Sequence, residues 1–375
     1  MRVLMINSVC GIRSTGRICT DLAEEFLAEG HEVRIAYGRE SVPDKYKDIS
    51  VRIGSNIDIY IAVMKSRLLD NEGFNNIRAT KEFLKWADEY NPDLLWLHNL
   101  HGYYINLELL FVWIRSRLNM QVKWTLHDCW SFTGHCSYFT VAKCDKWKEQ
   151  CINCPQRNEY PTSVWLDNSE KNYIRKKELF TSVKDMILIT PSKWLAELVK
   201  DSFLNEYKTE VHNNKIDRTV FKPTQGDFRK IYNLENKKIV LGVASAWSNS
   251  KGLEDFNKLA DMLAEDYVIV LVGLTKKQIK NVNPQILCIE RTNSVKELAE
   301  IYTTADLFVN LTHQDNYPTV NLEARACGTK VITYDVGGSP ESAGYQYVVE
   351  ENDIEGIRKL IFQICAFDNT VKSMR

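Results

Sequence analysis

Two acidic residues in the second half of the sequence have a spacing that suits sugar binding. Asp315 follows an apolar run that ends at Asn310, and Glu323 comes eight residues later in a helical pattern that Gly328 closes. A carboxylate can accept hydrogen bonds from two vicinal hydroxyls, so the two acids could hold two sugar rings of one ligand. The backbone N–H groups at the start of the helix favour an anion. The alternative is a capped surface helix that follows a loop.

A second candidate site is the segment from Gly242 to Gly252, which lies between a predicted strand and a predicted helix. Loop N–H groups and the Lys251 ammonium are the groups that a departing diphosphate needs, because negative charge develops on it as its bond breaks. The alternative is that Lys251 is a solvated residue in front of a helix. The segment therefore indicates an anion-binding loop with one cation.

Histidines stand at the ends of two predicted strands in the first half. His127 and Asp128 end the strand predicted over residues 122–126, and His98 and His101 end the strand before it. The carboxyl ends of parallel strands gather at one edge of a sheet, where ligands bind. We therefore expect these side chains to line a site. For His127 the alternative is a core histidine that a neighbour satisfies.

A loop with glycines is predicted near the start of the chain. The segment from Ser8 to Arg17 carries Gly11 and Gly16 and leads into a helix predicted over residues 18–29. It lacks the full glycine spacing of a dinucleotide-binding loop, so by itself it is a weak signal. A purely structural turn from strand to helix is the alternative.

Five of the ten cysteines fall between Cys129 and Cys154. In a reducing compartment such a cluster favours a metal site over disulfides. Zinc prefers four soft ligands in a tetrahedral array, and we expect the insertion over residues 129–160 to lack a core and to need such support. Free thiols in a packed loop are the alternative, and an iron–sulfur cluster is less favoured because only one C-x-x-C pair exists. The predicted zinc ligands are Cys136, Cys144, Cys151 and Cys154, with Cys129, His127 or His135 as substitutes for one of them.

Short apolar runs alternate with helical segments along the whole chain, which predicts an α/β fold with parallel sheets covered on both faces. The predicted strands are residues 3–6, 32–37, 93–97, 122–126, 186–189, 238–243, 267–272, 286–289, 307–310 and 330–333. Between Val211 and Pro223 the pattern becomes polar and irregular before it restarts. We therefore predict two Rossmann-like, doubly wound domains over residues 1–215 and 216–375 that face a central cleft.

The acid pair resembles the family-4 type of retaining glycosyltransferase with the GT-B fold, whose signature is two acids separated by seven residues. The resemblance implies that Asp315 contacts the transferred sugar and that Glu323 contacts the ribose of the donor. The family usually has Glu at the first position, and the run that follows Asp315 is similar to a branch that carries Asp. The resemblance also places near the sugar and diphosphate the backbone of Asn316, Tyr317, Pro318 and Thr319.

The diphosphate loop resembles the family with one departure. Lys251 matches a family cation, but Ala246 stands where the family commonly has Arg. Part of the diphosphate charge must then be met by other groups, such as Ser245 or a helix terminus. The segment with Gly16 and Arg17 is similar to the family's loop that faces the donor diphosphate and the acceptor. Arg13 or Arg17 could therefore supply the missing cation.

The same resemblance places His127 near the transferred sugar, so we expect His127, Asp315 and Lys251 to act in catalysis. Residues 213–223 are similar to the family's hinge, with Lys215 where glycine is usual. The implied reaction is metal-independent, retaining transfer from a nucleotide diphosphate sugar, with UDP-sugar as the favoured class. The implied acceptor is a lipid-linked or growing glycan in bacterial surface-polysaccharide assembly, such as capsule, lipopolysaccharide or exopolysaccharide.

Composition limits the other functions. A net charge of -1 gives no argument for nucleic acid binding. No apolar stretch is long enough to span a bilayer, and the start of the chain turns polar too soon for a signal peptide, so we predict a cytoplasmic protein. The basic run over residues 171–177 could contact anionic lipid at the inner membrane, with a solvated helix face as the alternative. The family usually ends with a helix that crosses back onto the first domain. Because eight residues follow the segment 357–367, we expect that this helix is missing.

Two other functions stay open. One is a non-catalytic, zinc-stabilised binder of nucleotide sugars or glycans, because Ala246 and Lys215 depart from the family pattern. The other is an NADP-dependent enzyme that uses Gly11, Gly16 and Arg39. It ranks last, because it leaves the acid pair of the second half unexplained.

Overall fold

The computed structural model describes residues 1–373 and the side chains of residues 1–367. The chain divides into two units, Met1–Asn213 and Asn214–Arg375. This division falls inside the polar segment that the sequence identifies as the hinge, where the predicted boundary is residue 215. Each unit contains one parallel sheet with its own buried core.

The first unit contains a seven-stranded sheet in which every strand pair is parallel. Its strands are β1 (Arg2–Asn7), β2 (Glu32–Tyr37), β3 (Ser50–Arg52), β4 (Leu94–Leu97), β5 (Gln121–Thr125), β6 (Ile187–Thr190) and β7 (Lys208–Val211). The order in the sheet is β3-β2-β1-β4-β5-β6-β7. From β1 the chain adds strands first toward one edge of the sheet (β2, β3) and then, from β4 on, toward the other edge. In doubly wound sheets, ligands bind at the carboxyl ends of the strands near this switch point.

Helices connect these strands. They are α1 (Arg13–Ala28), α2 (Asn56–Leu69), α3 (Ile77–Tyr90), α4 (Leu107–Arg115), α5 (Ser169–Phe180) and α6 (Lys193–Lys200). Short 3-10 turns cover Asp44–Ile49, Trp130–Phe132 and Lys146–Lys148. The start of α2 shows why a helix begins where it does: the Ser55 side chain accepts from the Asp58 N–H while the Asp58 carboxylate accepts from the Ser55 N–H.

The prediction that α1 begins after the Gly16 loop is wrong, because the helix already begins at Arg13. Gly16 lies on its buried side, where the Gly11 N–H donates to the Gly16 carbonyl at 3.2 Å. A Cβ at Gly16 would lie 3.1 Å from a Val9 methyl group. Gly16 therefore allows the first turn of the helix to pack closely on the preceding loop.

The segment over residues 129–160 has a core of its own, contrary to the sequence-based expectation. The side chains of Phe132, Phe139 and Trp147 are buried. The Trp147 ring lies 4.7 Å from the Phe139 ring and 5.2 Å from the Phe132 ring, measured between centroids. Aromatic side chains bury large apolar areas, so three of them support an irregular segment. The sequence pattern missed this core because the rings have neither helical nor strand periodicity.

The second unit contains a six-stranded parallel sheet in the order β10-β9-β8-β11-β12-β13. Its strands are β8 (Lys238–Val243), β9 (Tyr267–Val272), β10 (Leu287–Ile289), β11 (Leu307–Asn310), β12 (Lys330–Tyr334) and β13 (Val348–Val349). Its helices are α7 (Phe228–Ile231), α8 (Leu253–Met262), α9 (Lys276–Ile279), α10 (Val295–Thr304), α11 (Thr319–Ala326), α12 (Ser339–Ala343) and α13 (Ile354–Ser373). A 3-10 turn covers Asn249–Lys251.

The α/β class and the two doubly wound parallel sheets are confirmed. The sequence missed β3, β7 and β13, which lie at sheet edges and are short or polar, so they carry little apolar signal. Among the described residues, no helix is both long and apolar enough to span a bilayer. The expected absence of a final crossing helix concerns the end of the chain, and residues 374 and 375 lie outside the described part.

Candidate active site

Two loops meet at the carboxyl ends of the neighbouring strands β8 and β11 in the second unit. The Lys251 Nζ lies 2.6 Å from the Asp315 Oδ2, with the side chains 36% and 22% exposed. Lys251, which is predicted to bind the diphosphate, and Asp315, which is predicted to bind the sugar, thus form one partly exposed ion pair. At these strand ends, the ammonium group can bind an anion, and the carboxylate can accept hydrogen bonds from hydroxyls of the same ligand.

Backbone contacts hold these two loops together. The His313 N–H donates to the Ser250 carbonyl at 2.9 Å, and the Thr312 hydroxyl donates to the same oxygen at 3.2 Å. Gly252 has a φ of +75°, and a Cβ there would overlap the Leu311 carbonyl. A glycine is therefore required where the loop turns into α8. This close approach places Lys251 beside Asp315.

His313 supports the same loop from the other side, a role that the sequence did not predict. Its Nε2 lies 3.0 Å from the Asp255 Oδ2, and its Nδ1 lies 2.7 Å from the Glu351 Oε1. The hydrogen bond that His313 donates to Asp255 raises the pKa of His313 against the opposing effect of burial. Asp255 also accepts from the Tyr334 hydroxyl at 3.0 Å. This network fixes the loop on β12 and α8.

Glu323, the predicted ribose ligand, lies on α11 and is only 5% exposed. Its Oε2 accepts a hydrogen bond from the Tyr302 hydroxyl on α10 at 2.9 Å. Burying a carboxylate is costly without such a donor, so Tyr302 holds the group in place. The sequence did not indicate this role for Tyr302, because its position in the helical pattern is typical of an apolar core residue. The role of Glu323 toward ribose stays a prediction.

The segment between the two acids forms a turn into α11. Asn316 and Tyr317 are buried, and the Tyr317 carbonyl accepts from the Asn214 side chain at 3.2 Å. Pro318 precedes the first helical residue, Thr319, which is partly exposed. The first turn of α11 follows Asp315 closely in the chain, and N–H groups at a helix start favour an anion, so the anion-binding role of this turn stays a prediction.

A buried asparagine on α11 fixes this helix to its neighbours. The Asn321 Oδ1 accepts from the Asn310 side chain at 2.9 Å, and its Nδ2 donates to the Ser342 hydroxyl at 2.8 Å. The Gly338 N–H donates to the Asp315 carbonyl at 3.3 Å. The loop after β12 therefore packs against the loop that carries Asp315.

The remaining residues of the predicted diphosphate loop are more open. Ser245 and Ala246 are exposed at the end of β8. Trp247 anchors the loop, since its indole N–H donates to the Val272 carbonyl at 2.9 Å. The Ser248 and Ser250 hydroxyls lie 2.8 Å apart. The hydroxyl of Ser245 is thus accessible to a ligand, while the loop backbone is held by buried contacts.

In the first unit, two histidines that follow β4 and β5 form a pair. The His98 Nδ1 lies 3.0 Å from the His127 Nε2, and the rings stack with centroids 5.3 Å apart. Burial lowers the pKa of His127 to about 4, and burial together with His127 lowers the pKa of His98. Both rings are therefore neutral at neutral pH. His127 has a hydrogen-bonding neighbour, His98, as the alternative interpretation stated. It also lies just after the carboxyl end of β5, where we expected a ligand-binding residue.

A second chain of polar groups lies beside this pair. The His101 Nε2 lies 2.8 Å from the Asp128 Oδ2, and its Nδ1 lies 3.0 Å from the Tyr160 hydroxyl. Burial acts to raise the pKa of Asp128, but His101 and the Trp130 N–H lower it further than burial raises it. His98, His101, Asp128 and Trp130 line one pocket. The role of these side chains toward a ligand stays a prediction.

Glu72 supports this pocket and was missed in the sequence. It is buried, and its Oε1 accepts from the backbone N–H groups of Gly102 and Tyr103 at 2.7 and 2.8 Å. Burial raises its pKa. By accepting from both N–H groups, Glu72 fixes the loop that carries His101. No periodic pattern in the sequence signals such a carboxylate.

Arg17 and its neighbours lie on the first turns of α1. Arg17 is exposed, and its Nε donates to the Arg13 carbonyl at 3.4 Å. Arg13 itself pairs with Glu40 at 2.6 Å. Both arginines are exposed, and only Arg13 has a salt bridge among the described residues. The role of either arginine toward a diphosphate stays a prediction.

The four predicted zinc ligands all belong to or pack against the large core of the first unit, where one is buried and three are partly buried. Cys136 is buried, and Cys144, Cys151 and Cys154 pack against the same core. The Cys151 sulfur accepts from the Gly134 N–H at 3.2 Å. A hydrogen bond from Cys136 lowers the pKa of Cys154 to about 7, whereas burial raises the pKa of Cys151 to about 11.

His135 adds a nitrogen to this region. Its Nδ1 lies 2.5 Å from the Asp70 Oδ1, and both side chains are buried. Its Nε2 is buried and has no hydrogen-bond partner among the described residues. In the described part of the chain, no three His, Cys, Asp or Glu side chains are gathered in a geometry that could hold a metal. The zinc site therefore stays a prediction.

The basic run over residues 171–177 does not form a continuous basic face. Lys176 is buried and donates to the Trp130 and Thr133 carbonyls at 2.8 and 3.1 Å. Arg175 pairs with Glu108 at 2.7 Å. Lys171 and Lys177 remain exposed, so the run presents two of its cations to solvent, and its contact with lipid stays a prediction.

The fold is shared with solved proteins. Anabaena Alr3699/HepE, solved in complex with UDP, matches with a TM-score of 0.66 at 14% identity and covers 98% of this chain and 91% of that chain. A family model described as "Glycosyl transferases group 1" matches residues 224–374. Fold and sequence thus define the class: a glycosyltransferase with the GT-B fold.

A second model, described as "Glycosyltransferase Family 4", matches residues 15–219. The chain belongs to glycosyltransferase family 4, and the resemblance first seen around Asp315 and Glu323 is confirmed. This assignment replaces the interpretation of the chain as an NADP-dependent enzyme.

Two curated relatives carry more specific names. An Escherichia coli K12 protein named as the colanic acid biosynthesis glycosyl transferase WcaC is 23% identical over 348 residues, which are 88% of this chain and 82% of that protein. A Campylobacter jejuni N,N'-diacetylbacillosaminyl-diphospho-undecaprenol alpha-1,3-N-acetylgalactosaminyltransferase is 31% identical over 129 residues, which are 32% of each chain.

Proposed function

We propose that the protein transfers a sugar, with retention, from a nucleotide diphosphate sugar of the UDP class to a lipid-linked or growing glycan in bacterial polysaccharide assembly. The observation that carries the proposal is the 2.6 Å ion pair between Lys251 and Asp315 at the ends of β8 and β11. It brings a cation for a diphosphate and a carboxylate for sugar hydroxyls to one place. The UDP bound to the Anabaena protein supports the donor class. The relatives named for colanic acid biosynthesis and for transfer to a diphospho-undecaprenol compound support the acceptor class.

The proposed reaction breaks the bond between the anomeric carbon and a diphosphate oxygen. The acceptor oxygen bonds to the same carbon on the same face, and its proton passes to the departing diphosphate. Lys251 moves from Asp315 to the diphosphate, where it offsets the developing charge. Asp315 is then free to accept from hydroxyls of the sugar. No cofactor takes part in these steps.

Glu323 and Tyr302 act together in this proposal. With one carboxylate oxygen held by Tyr302 at 2.9 Å, Glu323 keeps a fixed orientation and directs its remaining acceptor capacity to the ribose hydroxyls. The exposed Ser245 hydroxyl and the N–H groups at the start of α11 supply donors to the diphosphate, which compensates in part for Ala246.

The first unit binds the acceptor in this proposal. His127 is neutral and is oriented by His98, so it can exchange hydrogen bonds with a sugar hydroxyl without adding charge. His101 and Asp128 provide a further donor and acceptor in the same pocket. We place the reaction on the cytoplasmic side of the membrane, where nucleotide sugars are available.

A panel of nucleotide sugars tests the proposed donor. Purified protein is titrated with UDP- and GDP-sugars by calorimetry, and transfer and hydrolysis are followed by release of the nucleotide. We expect Glu323→Ala to abolish donor binding and His127→Ala to slow transfer while donor binding is kept. His212→Ala, at an exposed site, is the matched control. Equal donor affinity in Glu323→Ala and the parent refutes the assignment, and donor binding without any turnover favours a non-catalytic binder.

We also propose a structural zinc ion in the cysteine cluster. The candidate ligands are Cys136, Cys151, Cys154 and the free Nε2 of His135, whose other nitrogen is held by Asp70 as in many zinc sites. Ligation requires the thiols to rotate toward one centre.

Metal content after purification without added metal tests this proposal. About one zinc per chain is expected in the parent. Zinc loss is expected in Cys154→Ser, while Cys288→Ser, in the second unit, keeps the metal. A parent chain without zinc that still folds shows free thiols in a packed loop and contradicts the site.

A further inference from the structure

Arg39 follows strand β2 and carries a charge that no acid in the described part of the chain neutralises. Its side chain is partly buried. Among the described residues, its guanidinium has neither a salt bridge nor a hydrogen-bond acceptor. The next residue in the chain, Glu40, pairs with Arg13 at 2.6 Å instead. Holding a cation partly out of water without a counter-ion is costly, so Arg39 is suited to an anionic ligand.

The loop that follows β4 packs against Arg39. A Cβ at Gly102 in this loop would lie 3.5 Å from the Arg39 Cδ. A Cβ at Gly38 would overlap the Tyr104 side chain, so a glycine is required where β2 ends. The Arg39 N–H donates to the Ser8 carbonyl, just after β1, at 2.9 Å. Arg39 therefore lies where the carboxyl ends of β1, β2 and β4 meet, the edge at which doubly wound sheets bind ligands.

Tyr103 lies beside Arg39 in a strained backbone conformation. The Arg39 Cζ lies 6.0 Å from the centroid of the Tyr103 ring. Tyr103 has a φ of +65°, which a bulky residue rarely adopts. Its N–H donates to the buried Glu72 carboxylate at 2.8 Å, and its carbonyl accepts from the Asn76 side chain at 2.6 Å. Such strain persists only where other contacts hold it, and it concentrates at binding sites.

Tyr160 connects this position to the pocket of His101. The Tyr160 ring lies 6.1 Å from the Tyr103 ring and 5.5 Å from the His101 ring, measured between centroids. Its hydroxyl lies 3.0 Å from the His101 Nδ1, while 40% of the residue is exposed. Asp128, the carboxylate of this pocket, pairs with His101 at 2.8 Å. Two tyrosine rings thus join Arg39 to the pocket that we assign to the acceptor.

We propose that Arg39 binds an oxyanion carried by the acceptor, either the carboxylate of an acidic sugar or a phosphate group. The planar guanidinium matches both anions, because it presents its N–H groups as a fork. The neighbouring tyrosines supply aromatic surface and hydroxyl groups for the rest of the acceptor. A neutral acceptor would leave the charge of Arg39 without a partner. This proposal rests on the proposed transfer to a glycan and adds the charge of the acceptor.

Ligand-observed NMR titrations with the full chain test the proposal. Glucuronate, glucose 1-phosphate and neutral glucose are titrated separately in the presence of saturating UDP, which occupies the donor site. We expect at least one of the two anions to bind about tenfold or more tightly than glucose, since a charge-assisted hydrogen bond adds this much. The anion that binds more tightly identifies the source of the oxyanion. Arg39→Gln should lose the preference for the anion, and Arg39→Lys should keep part of it.

Arg34→Gln is the matched control. Arg34 lies on the same strand, and its Cζ also lies 6.0 Å from a tyrosine ring, that of Tyr90. Unlike Arg39, it pairs with an acid, Glu32, at 3.8 Å. The control should therefore keep the preference of the parent. The melting temperature of Arg39→Gln should stay that of the parent, because no salt bridge among the described residues is lost.

The outcomes separate this proposal from the proposed function. A parent that binds neither anion more tightly than glucose overturns it, as does an equal preference in the parent and Arg39→Gln. Weaker UDP binding by Arg39→Gln also overturns it, because Arg39 then serves the donor diphosphate. UDP affinity of the parent is measured first, without sugars. A parent that does not bind UDP contradicts the proposed donor, and the sugar titrations run without UDP then still decide the role of Arg39.

Discussion

Replacing Lys251 by Met tests the part of the site that brings two loops together. The ion pair with Asp315 is partly exposed, with side chains 36% and 22% accessible, so in the free protein it contributes about 1 kcal/mol or less. A charge-assisted hydrogen bond to a bound diphosphate is worth about 1.5–3 kcal/mol. Since Lys251 must leave Asp315 to make that bond, the net contribution to binding is about 1–2 kcal/mol. Lys251→Met should therefore raise the Kd for UDP about 5- to 30-fold, with little change in stability.

Isothermal calorimetry with UDP measures the affinity, and urea unfolding measures the stability of the same preparations. Lys258→Met is the matched control, because Lys258 also lies on the α8 side and pairs with Asp255 at 3.2 Å but is 57% exposed. The control should keep the parent affinity. An unchanged Kd in Lys251→Met, or an equal loss in both variants, refutes the assignment of Lys251 to the diphosphate. If the parent prefers GDP, the same comparison is made with GDP.

Three further predictions concern stability. Tyr302→Phe should lower the free energy of unfolding by about 1–3 kcal/mol, because buried Glu323 loses its donor; urea denaturation measures this. Burial lowers the pKa of His127 from 6.5 to about 4, so the unfolded chain takes up a proton that the folded chain does not. Stability should thus be complete above about pH 6.5 and fall between about pH 6.5 and 4, less steeply in His127→Gln; thermal melts across this range measure it. Gly252→Ala should lower the melting temperature more than Gly328→Ala, because both have positive φ but only Gly252 meets a backbone carbonyl.

Each of these has a contradicting result. Unchanged unfolding of Tyr302→Phe would mean that Glu323 is satisfied without the hydroxyl. A pH profile of His127→Gln identical to the parent would place the titration elsewhere. Equal losses in the two glycine variants would show that positive φ alone, and not the approach of Leu311, sets the cost at Gly252.

The buried strands of both sheets were predictable because continuous apolar runs bounded by turn residues are typical of parallel sheets. β8, β9 and β11 were predicted with the bounds that the structure has. The start of α1 was not predicted correctly. Gly16 was taken for a loop residue, whereas it lies inside the helix and allows close packing. The core of residues 129–160 was also missed, since Phe139 and Trp147 meet through irregular backbone.

The sequence by itself determined the α/β class, the two parallel sheets, the family and the segments that carry Lys251, Asp315 and Glu323, because these depend on local pattern and on spacing within a motif. Only the tertiary structure decided which groups contact each other. The pairing of Lys251 with Asp315, across 64 positions of the chain, follows from the adjacency of β8 and β11. The donor that holds Glu323 is likewise a distant core residue, Tyr302. Such contacts depend on sheet order and helix packing, which no local pattern encodes.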